Sequence, residues 1–207
     1  MRSASTLVWR EQCQTKARSM TDIGTLTAPQ GSDNRTYDIV YGYGESSLGG
    51  FLAAVDDKGL CAVLFGPDRL RLREDLGAAF PKKAVAPCER PGSCAFVVNA
   101  VAYLIEQPAA SIPIQISMRG GDFEHMVCAA LRRTKPGTTV TPEEVAVMIG
   151  AAAESARYVR ACATADLLAV VVPFHRLQEQ DGTNPAYRWG EERRQTLLKR
   201  EASSGAG

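Results

Sequence analysis

The residues with the clearest chemical potential lie in one short run near the C-terminal end of the chain. Three consecutive valines at 170–172 are followed by Pro173, Phe174, His175 and Arg176. A short apolar run that ends in a proline and two basic side chains is typical of a buried strand that leads into a functional site. Phe174 lies inside this run, and its benzyl group has no lone pair, titratable proton or thiolate. It therefore cannot act as a nucleophile.

The thiols are the other candidate nucleophiles. The six cysteines form no CxxC pair, and several lie in apolar segments, where a free thiol behaves as a small hydrophobic group. Cys128 and Cys162 are the candidates for a nucleophile in place of residue 174. Both lie on predicted helices among apolar neighbours, where thiols are usually inert. The cysteine spacing and the presence of only two histidines argue against a zinc site. We therefore expect neither a metal nor a cofactor.

Composition and charge limit the class of protein. The chain has 207 residues, of which 45% are hydrophobic and 23% charged, which is ordinary for a soluble globular protein. No apolar run approaches the roughly 20 residues of a membrane span, and residues 1–36 contain no signal-peptide core. Together with the free cysteines, this predicts a cytoplasmic protein without membrane contact. The net charge is only +1, so a nucleic-acid surface must come from local clustering, for which the candidates are Arg132, Arg133, Lys135 and Arg160.

The N-terminal half is predicted to form a small sheet flanked by helices. Residues 1–36 are polar and are interpreted as a flexible extension or linker. Strands are predicted at 50–55 and 60–65, joined by an Asp-Asp-Lys-Gly turn, and an edge strand at 112–116 because it contains a proline. Helices are predicted at 69–80 and 96–106, with the stretch 81–93 as a loop. The first helix is expected to bury Leu70, Leu72, Leu76 and Ala79.

The C-terminal half is predicted to be mainly helical and to contain a helix-turn-helix. Asp122 is the expected N-cap of a helix over 123–133. Thr141, Pro142 and Glu144 form a strong helix start, Gly150 makes a turn, and a second helix follows at 154–164. A strand at 170–172 and a last helix at 190–201 complete this half. The overall prediction is an α+β fold with parts at 37–117 and 118–202 and a tail at 203–207.

From about residue 37 to 201 the chain resembles the alkyltransferase domain of Ada-type alkylguanine-DNA alkyltransferases (methylated-DNA–protein-cysteine methyltransferases). Two motifs at matching spacing after the helix-turn-helix carry the resemblance, namely Val172-Pro173-Phe174-His175-Arg176 and Tyr187-Arg188-Trp189-Gly190 with the helix that follows. In that family the residue between the proline and the histidine is the cysteine that accepts the alkyl group. The resemblance therefore places Phe174 at the acceptor position. In the alkyltransferase-like proteins, too, a residue other than cysteine stands at this position.

The resemblance also implies roles for other residues. His175 and Glu201 match the general base and the carboxylate that orients it. Arg157 matches the arginine finger that fills the gap left by a flipped nucleotide, and Tyr187 matches the tyrosine of the base pocket. The residues predicted to bind DNA are Arg157, Tyr158, Arg160, Arg176 and Tyr187.

Several positions depart from the family pattern. Asp166 stands where the family has an asparagine that buttresses the turn before the active-site segment, and Pro142 stands where it has a tyrosine. Tyr158 and Arg160 replace small residues on the helix that lies in the minor groove. Their bulk is expected to hold the helix away from the duplex or to demand a wider groove.

Each of these residues also has a purely structural interpretation. The structural interpretation of Phe174 is that its ring fills an emptied pocket, a burial worth about 1.5–3 kcal/mol. The functional interpretation is that the ring stacks on a flipped base. A third alternative is that this is an engineered or trapped form of a protein with cysteine at position 174. His175 and Glu201 persist as a buried hydrogen-bonded pair, or they belong to a working site. Arg157 is a solvated charge on a helix, or it is the finger.

Three functions follow from these alternatives. The first is a non-catalytic DNA-repair protein that binds double-stranded DNA, with alkylated guanine as the expected target, and accepts no alkyl group. The second is a degenerate Ada-type domain that contacts a repair or regulatory protein without binding DNA. The third is an active methyltransferase that uses another cysteine. We expect a monomer without enzyme activity, cytoplasmic and associated with the nucleoid if it binds DNA.

Overall fold

A four-stranded sheet forms the N-terminal half of the computed structural model, which describes residues 37–88, 93–112, 114–184 and 186–204. The strands are β1 (Ile39–Ser46), β2 (Gly49–Val55), β3 (Leu60–Phe65) and β4 (Val85–Pro87), in the order β3-β2-β1-β4. The first three pair antiparallel, and β4 runs parallel to β1. Every residue of β3 is buried, which explains its continuous apolar sequence. The predicted extension at 1–36 and residues 205–207 of the predicted tail lie outside the described residues.

The predicted sheet was correct at β2 and β3 and wrong elsewhere. β1 was missed because glycines at 42 and 44 interrupt its apolar pattern, and the three-residue β4 lies in the stretch predicted as a loop. Of the predicted edge strand at 112–116, the described residues 112 and 114–116 make a single bridge, between Ile116 and Leu60. These described residues form no strand because their pairing is confined to the first residue of β3, where Leu60 bonds the backbone of Gln115 and Ser117.

Two helices accompany the sheet, α1 (Arg69–Ala79) and α2 (Ser93–Glu106). Asp68 begins α1, because its carboxylate accepts hydrogen bonds from the backbone N–H groups of the first turn. Leu72 and Leu76, one turn apart, are buried, whereas Leu70 is 61% exposed and its predicted burial is wrong. Leu70 lies two residues before Leu72 and so points to the opposite side of the helix.

The C-terminal half contains α3 (Asp122–Arg133), α4 (Pro142–Met148), α5 (Ala156–Thr164) and α6 (Glu191–Ser204). The predicted start of α4 is confirmed, since Thr141 and Glu144 bond each other's backbone N–H groups. Gly150, with φ of +77°, makes the predicted turn, and a 3₁₀ turn at Ala153–Ser155 precedes α5. The predicted N-cap Asp122 is wrong: the cap is Gly121, whose N–H donates to Glu124.

The predicted strand at 170–172 is wrong. These valines are buried, but they form tight turns, with Val170 at φ of +66° and the Val171 N–H bonded to the carbonyl of Ala169. Just before them, the chain pairs once with the free edge of β3, where Val63 exchanges backbone hydrogen bonds with Leu167 and Ala169. The apolar run therefore reflects burial, and that single pairing fixes the segment that leads into Phe174.

The last helix ties the two halves together. Arg193 on α6 donates to the carbonyl of Leu48, between β1 and β2, at 2.9 Å, and Arg200 donates to the carbonyl of Ile105 at the end of α2 at 2.6 Å. The helix runs to Ser204, three residues beyond its predicted end. Within the described ranges, no helix combines the length and apolar character that a membrane crossing needs.

The close approach at Gly59 generates a stability prediction. Gly59 has φ of +141°, and a Cβ there would overlap the backbone carbonyl of Gln115, which Leu60 holds by a hydrogen bond. Gly59→Ala should therefore lower the free energy of unfolding by about 2 kcal/mol or more. Gly77→Ala, inside α1 and with open space around it, should raise it by about 0.5–1 kcal/mol. Urea unfolding of both variants checks this, and shifts of the same sign would contradict it.

Candidate functional site

Phe174 begins a 3₁₀ turn (Phe174–Arg176) and lies in the hydrophobic core. It is 2% exposed, and its carbonyl accepts a hydrogen bond from the Nδ2 of Asn184 at 3.2 Å. A buried apolar ring thus stands at the position where the sequence resemblance places an acceptor. No thiol, hydroxyl or amine occupies this position.

His175 and Glu201, which the sequence predicted to act together, are in contact. The Nε2 of His175 lies 2.8 Å from Oε1 of Glu201, and both side chains are fully buried. Glu201 comes from α6, 26 residues further along the chain, so the last helix positions the histidine ring. The other carboxylate oxygen, Oε2, accepts the backbone N–H of Gly137 at 2.8 Å.

Arg176 is the third partner of this carboxylate. Its Nε and one terminal nitrogen donate to Glu201, the latter at 2.8 Å, and its other terminal nitrogen donates to the carbonyl of Thr134 at 2.6 Å. The side chain is buried, so its guanidinium faces the interior. The contact of Arg176 with DNA stays a prediction, and the bonds it makes here are structural.

The electrostatics of the pair assign its protonation state. Burial alone would raise the pKa of Glu201, but hydrogen bonds from His175 and Arg176 outweigh it and lower that pKa to about 2. Burial lowers the pKa of His175, and Glu201 only partly opposes this. A neutral imidazole therefore donates Nε2–H to an ionised carboxylate, which leaves Nδ1 as an acceptor. Nδ1 is buried and has no hydrogen-bond partner within the described part of the chain.

Tyr187 provides a second unpartnered polar atom. It is 6% exposed, and its buried hydroxyl has no hydrogen-bond partner among the residues that the structure describes. Burial, with the nearby charge of Asp166, raises the pKa of the phenol, which stays neutral. Asn184 links this residue to the site, because its carbonyl accepts the Tyr187 N–H while its amide bonds the Phe174 carbonyl. Sequence reasoning missed Asn184, and its place just after an Asp-Gly turn was the available signal.

Asp166 supports the segment that leads to Phe174. One carboxylate oxygen accepts the N–H of Leu168 and the other accepts the indole N–H of Trp189, both at 2.8 Å. The residue is 5% exposed, and burial raises its pKa to about 6. The sequence predicted a buttress at this position, and the structure shows Asp166 joining the turn before Phe174 to the Tyr-Arg-Trp-Gly motif.

The residues predicted to contact DNA from α5 have two different surroundings. Arg160 is bound by Glu179 through two hydrogen bonds of 2.6 Å and by Glu143 at 2.8 Å, so it joins α4 and α5 to the loop after the 3₁₀ turn. Arg157 and Tyr158 are exposed, and Arg157 donates to the Tyr158 hydroxyl at 2.9 Å. Contact of any of these with DNA stays a prediction.

The other candidate groups are spread around the site. Burial raises the pKa of Cys128 to about 12 and that of Cys162 to about 11, so both are neutral thiols and poor nucleophiles. Arg132, Arg133 and Lys135 are exposed at the end of α3, as a basic rim requires. In the ranges that the structure describes, no three His, Cys, Asp or Glu side chains are grouped to hold a metal ion.

The buried carboxylate yields a prediction. Glu201→Gln leaves the buried Arg176 without its counter-charge, and breaking a buried ion pair costs about 3–5 kcal/mol. We expect the free energy of unfolding to fall by about 3 kcal/mol or more. Glu192→Gln, on the exposed start of the same helix, is the matched control and should change it by less than about 1 kcal/mol. Equal losses in urea unfolding would show that the buried network contributes nothing special.

The raised pKa of Asp166 yields a second prediction. The protonated Asp166 carboxyl is favoured in the folded state, so it adds to the free energy of unfolding. This contribution is complete below the unfolded pKa of 3.8 and is lost as the pH rises through the folded pKa of about 6. His175, with its lowered pKa, acts in the opposite direction as the pH falls below its unfolded pKa of 6.5, so the comparison must be with Asp166→Asn. The stability of wild type relative to this variant should fall by about 2 kcal/mol between pH 4.5 and 7. A Trp189 indole N–H resonance that fails to titrate near pH 6, measured in a Trp9→Phe background, would refute this.

Comparison with known proteins gives the family. The family model described as "6-O-methylguanine DNA methyltransferase, DNA binding domain" matches residues 122–203. The bifunctional transcriptional activator/DNA repair enzyme Ada of Escherichia coli K12 is 34% identical over 166 residues, which is 80% of this chain and 46% of that protein. A methylated-DNA–protein-cysteine methyltransferase of Mycolicibacterium paratuberculosis is 32% identical over 113 residues, 55% of this chain and 68% of that protein.

Solved structures agree on the fold. The crystal structure of Mycobacterium tuberculosis OGT in complex with DNA matches with a TM-score of 0.63 and 24% identity, covering 79% of this chain and 93% of that one. The chain spans about half the length of the Ada proteins that it matches. By the family model, the sequence identities and the α+β architecture, the chain belongs to the O6-methylguanine-DNA methyltransferase family of DNA-repair proteins, as an Ada-type alkyltransferase domain.

Proposed function

We propose that this protein binds DNA containing an alkylated guanine and holds the lesion without accepting the alkyl group. One observation carries the proposal: a carbon-only side chain, Phe174, stands directly before a histidine whose hydrogen-bonded carboxylate is in place. The base and its orienting partner are present, and the residue that they would activate is not.

Alkyl transfer needs a nucleophile that forms a new bond to the alkyl carbon. Phe174 offers only C–H bonds, so the neutral imidazole of His175 has no proton to remove from it. The thiols of Cys128 and Cys162 have raised pKa values and are partly buried, which supports their exclusion as substitutes. The proposed activity is therefore binding.

The unpartnered polar atoms support a ligand. The Nδ1 of His175, the hydroxyl of Tyr187 and one terminal nitrogen of Arg194 are buried without partners within the described residues, and each such group costs about 1–3 kcal/mol. Of these residues, His175 directly follows Phe174, and Tyr187 is joined to the Phe174 segment through Asn184. Native proteins leave few such groups, and those that remain need a reason. An extruded purine presents ring nitrogens and oxygens on its edge, which suit one donor and one acceptor held at a buried site.

The charge balance limits how the DNA is held. Between residues 122 and 203, the region matched by the family model, acidic and basic residues are equal in number. Attraction to phosphate therefore rests on local basic groups and not on the charge of the whole region, and contacts with bases have to supply the rest of the affinity. This favours recognition of a lesion over general coating of DNA.

A second candidate function is contact with a protein partner. Exposed apolar side chains lie on three helices of this half, with Val147 64%, Met148 55%, Tyr158 51% and Met126 44% exposed. Contiguous exposed apolar patches mark interaction surfaces in soluble proteins, and these side chains are the candidates for such a patch. This candidate requires no affinity for DNA, which separates it from the first.

The test is a comparison of two duplexes that differ in one O6-methylguanine. We expect the lesion duplex to bind at least about tenfold more tightly, a difference of about 1.4 kcal/mol in binding free energy. Tyr187→Phe removes the unpartnered hydroxyl, so it should reduce the lesion preference while leaving the protein as stable as wild type or more stable. Fluorescence anisotropy and thermal unfolding measure the two effects.

The same duplex with a labelled methyl group tests transfer. Wild type should carry no label after prolonged incubation, and Phe174→Cys serves as the variant with an acceptor restored. Equal affinity for both duplexes, or none for either, would reject lesion binding and favour the protein partner. Label on the wild-type chain would reject the non-catalytic assignment.

A further inference from the structure

Tyr158 is the most exposed aromatic side chain in the described part of the chain. It is 51% exposed and lies on α5, the second helix of the helix-turn-helix. Its neighbours on that helix are Val159, which is buried, and Arg157, which is exposed. The ring therefore leaves about half of its surface open to a partner on the outer face of α5.

The ring is held in a fixed position. The edge of the Phe123 ring packs against it, with centroids 6.0 Å apart and an angle of 77° between the planes. The guanidinium of Arg157 lies over its face, 4.7 Å from the ring centroid, and also bonds its hydroxyl. A side chain that is already ordered loses less conformational entropy when it binds a partner.

Arg157 adds a positive charge to this ring. Within the described residues it forms no ion pair with a carboxylate, in contrast to Arg160, which two glutamates hold. An apolar protein surface that covered the ring would have to desolvate this guanidinium, which is costly. A base step with its phosphates offers both a flat face for the ring and an anion for the guanidinium.

We propose that Tyr158, rather than Arg157, enters the base stack when α5 docks on duplex DNA. Arg157 orients the ring and contacts the neighbouring phosphate. A wedge of this kind partly unstacks one base step and bends the duplex, so the bulk of Tyr158 becomes a contact instead of an obstacle. The proposal rests on the DNA binding proposed above, and it does not depend on lesion recognition.

The test uses an undamaged duplex with 2-aminopurine at its centre, titrated with the full chain. Stacking on one base predicts that Tyr158→Ala weakens binding by about 5- to 100-fold with an unchanged salt dependence. Tyr158→Phe should bind within about twofold of wild type, because the ring carries the contact. Arg157→Met should weaken binding and reduce the salt slope by about one.

Unstacking supplies an independent readout. The 2-aminopurine fluorescence should rise on binding of wild type and Tyr158→Phe, and stay low with Tyr158→Ala at saturation. Tyr103→Ala, at an exposed tyrosine on α2, is the matched control and should change neither signal. Because Tyr158 is half exposed, we expect Tyr158→Ala to fold. The melting temperature of the variant checks this.

The outcomes separate the proposals. If Tyr158→Ala binds the duplex as well as wild type does, insertion is overturned and contact of the ring with a protein partner is favoured. If the variant binds more tightly, insertion is also overturned, because the bulk of Tyr158 is then an obstacle. A wild type without duplex affinity overturns insertion and DNA binding together. If Tyr158→Ala weakens binding to the damaged and the undamaged duplex alike, and wild type shows no preference for the lesion, insertion of Tyr158 is supported and only lesion recognition is rejected.

Discussion

The C-terminal half of this protein depends on one buried carboxylate. Glu201 accepts hydrogen bonds from His175, Arg176 and the backbone of Gly137, and in this way the last helix holds the 3₁₀ turn and the loop between α3 and α4. An ionised group in the interior is tolerated only when its partners are complete, so each of these contacts constrains the others. This need exists whatever residue stands at 174, and it explains why the His175–Glu201 contact is kept for structural reasons.

Of the three buried side-chain atoms without a hydrogen-bond partner among the described residues, two have no such explanation. Neither the Nδ1 of His175 nor the hydroxyl of Tyr187 has a hydrogen-bond partner in the described part of the chain, and phenylalanine at 187 would fill much the same space without that cost. The folded state alone therefore explains Glu201 and leaves Tyr187 unexplained. Under the proposed function, the bound DNA would supply hydrogen-bond partners to the Nδ1 of His175 and the hydroxyl of Tyr187.

Local chemistry made parts of the fold predictable, and long-range contacts hid the rest. Thr141 and Gly150 were identified because capping and positive φ leave their signature within a few residues. The valines at 170–172 were misassigned because an apolar run reports burial and not pairing. The bonds of Arg160 to Glu143 and Glu179, and of Glu201 to Gly137, join distant segments, and no spacing in the sequence encodes them.

The two bulky residues on α5 show why this matters for function. The sequence predicted both Tyr158 and Arg160 to bind DNA and expected the bulk of both to hold the helix away from the duplex or to demand a wider groove. In the fold, Arg160 forms ion pairs with Glu143 and Glu179, which neutralise its charge locally. Tyr158 is exposed on the helix, and the guanidinium of Arg157 lies over the face of its ring. The surface that α5 offers is thus an aromatic ring with one unopposed cation. With no net charge on the domain to supply attraction, that ring is the largest contact α5 has available for a nucleic acid.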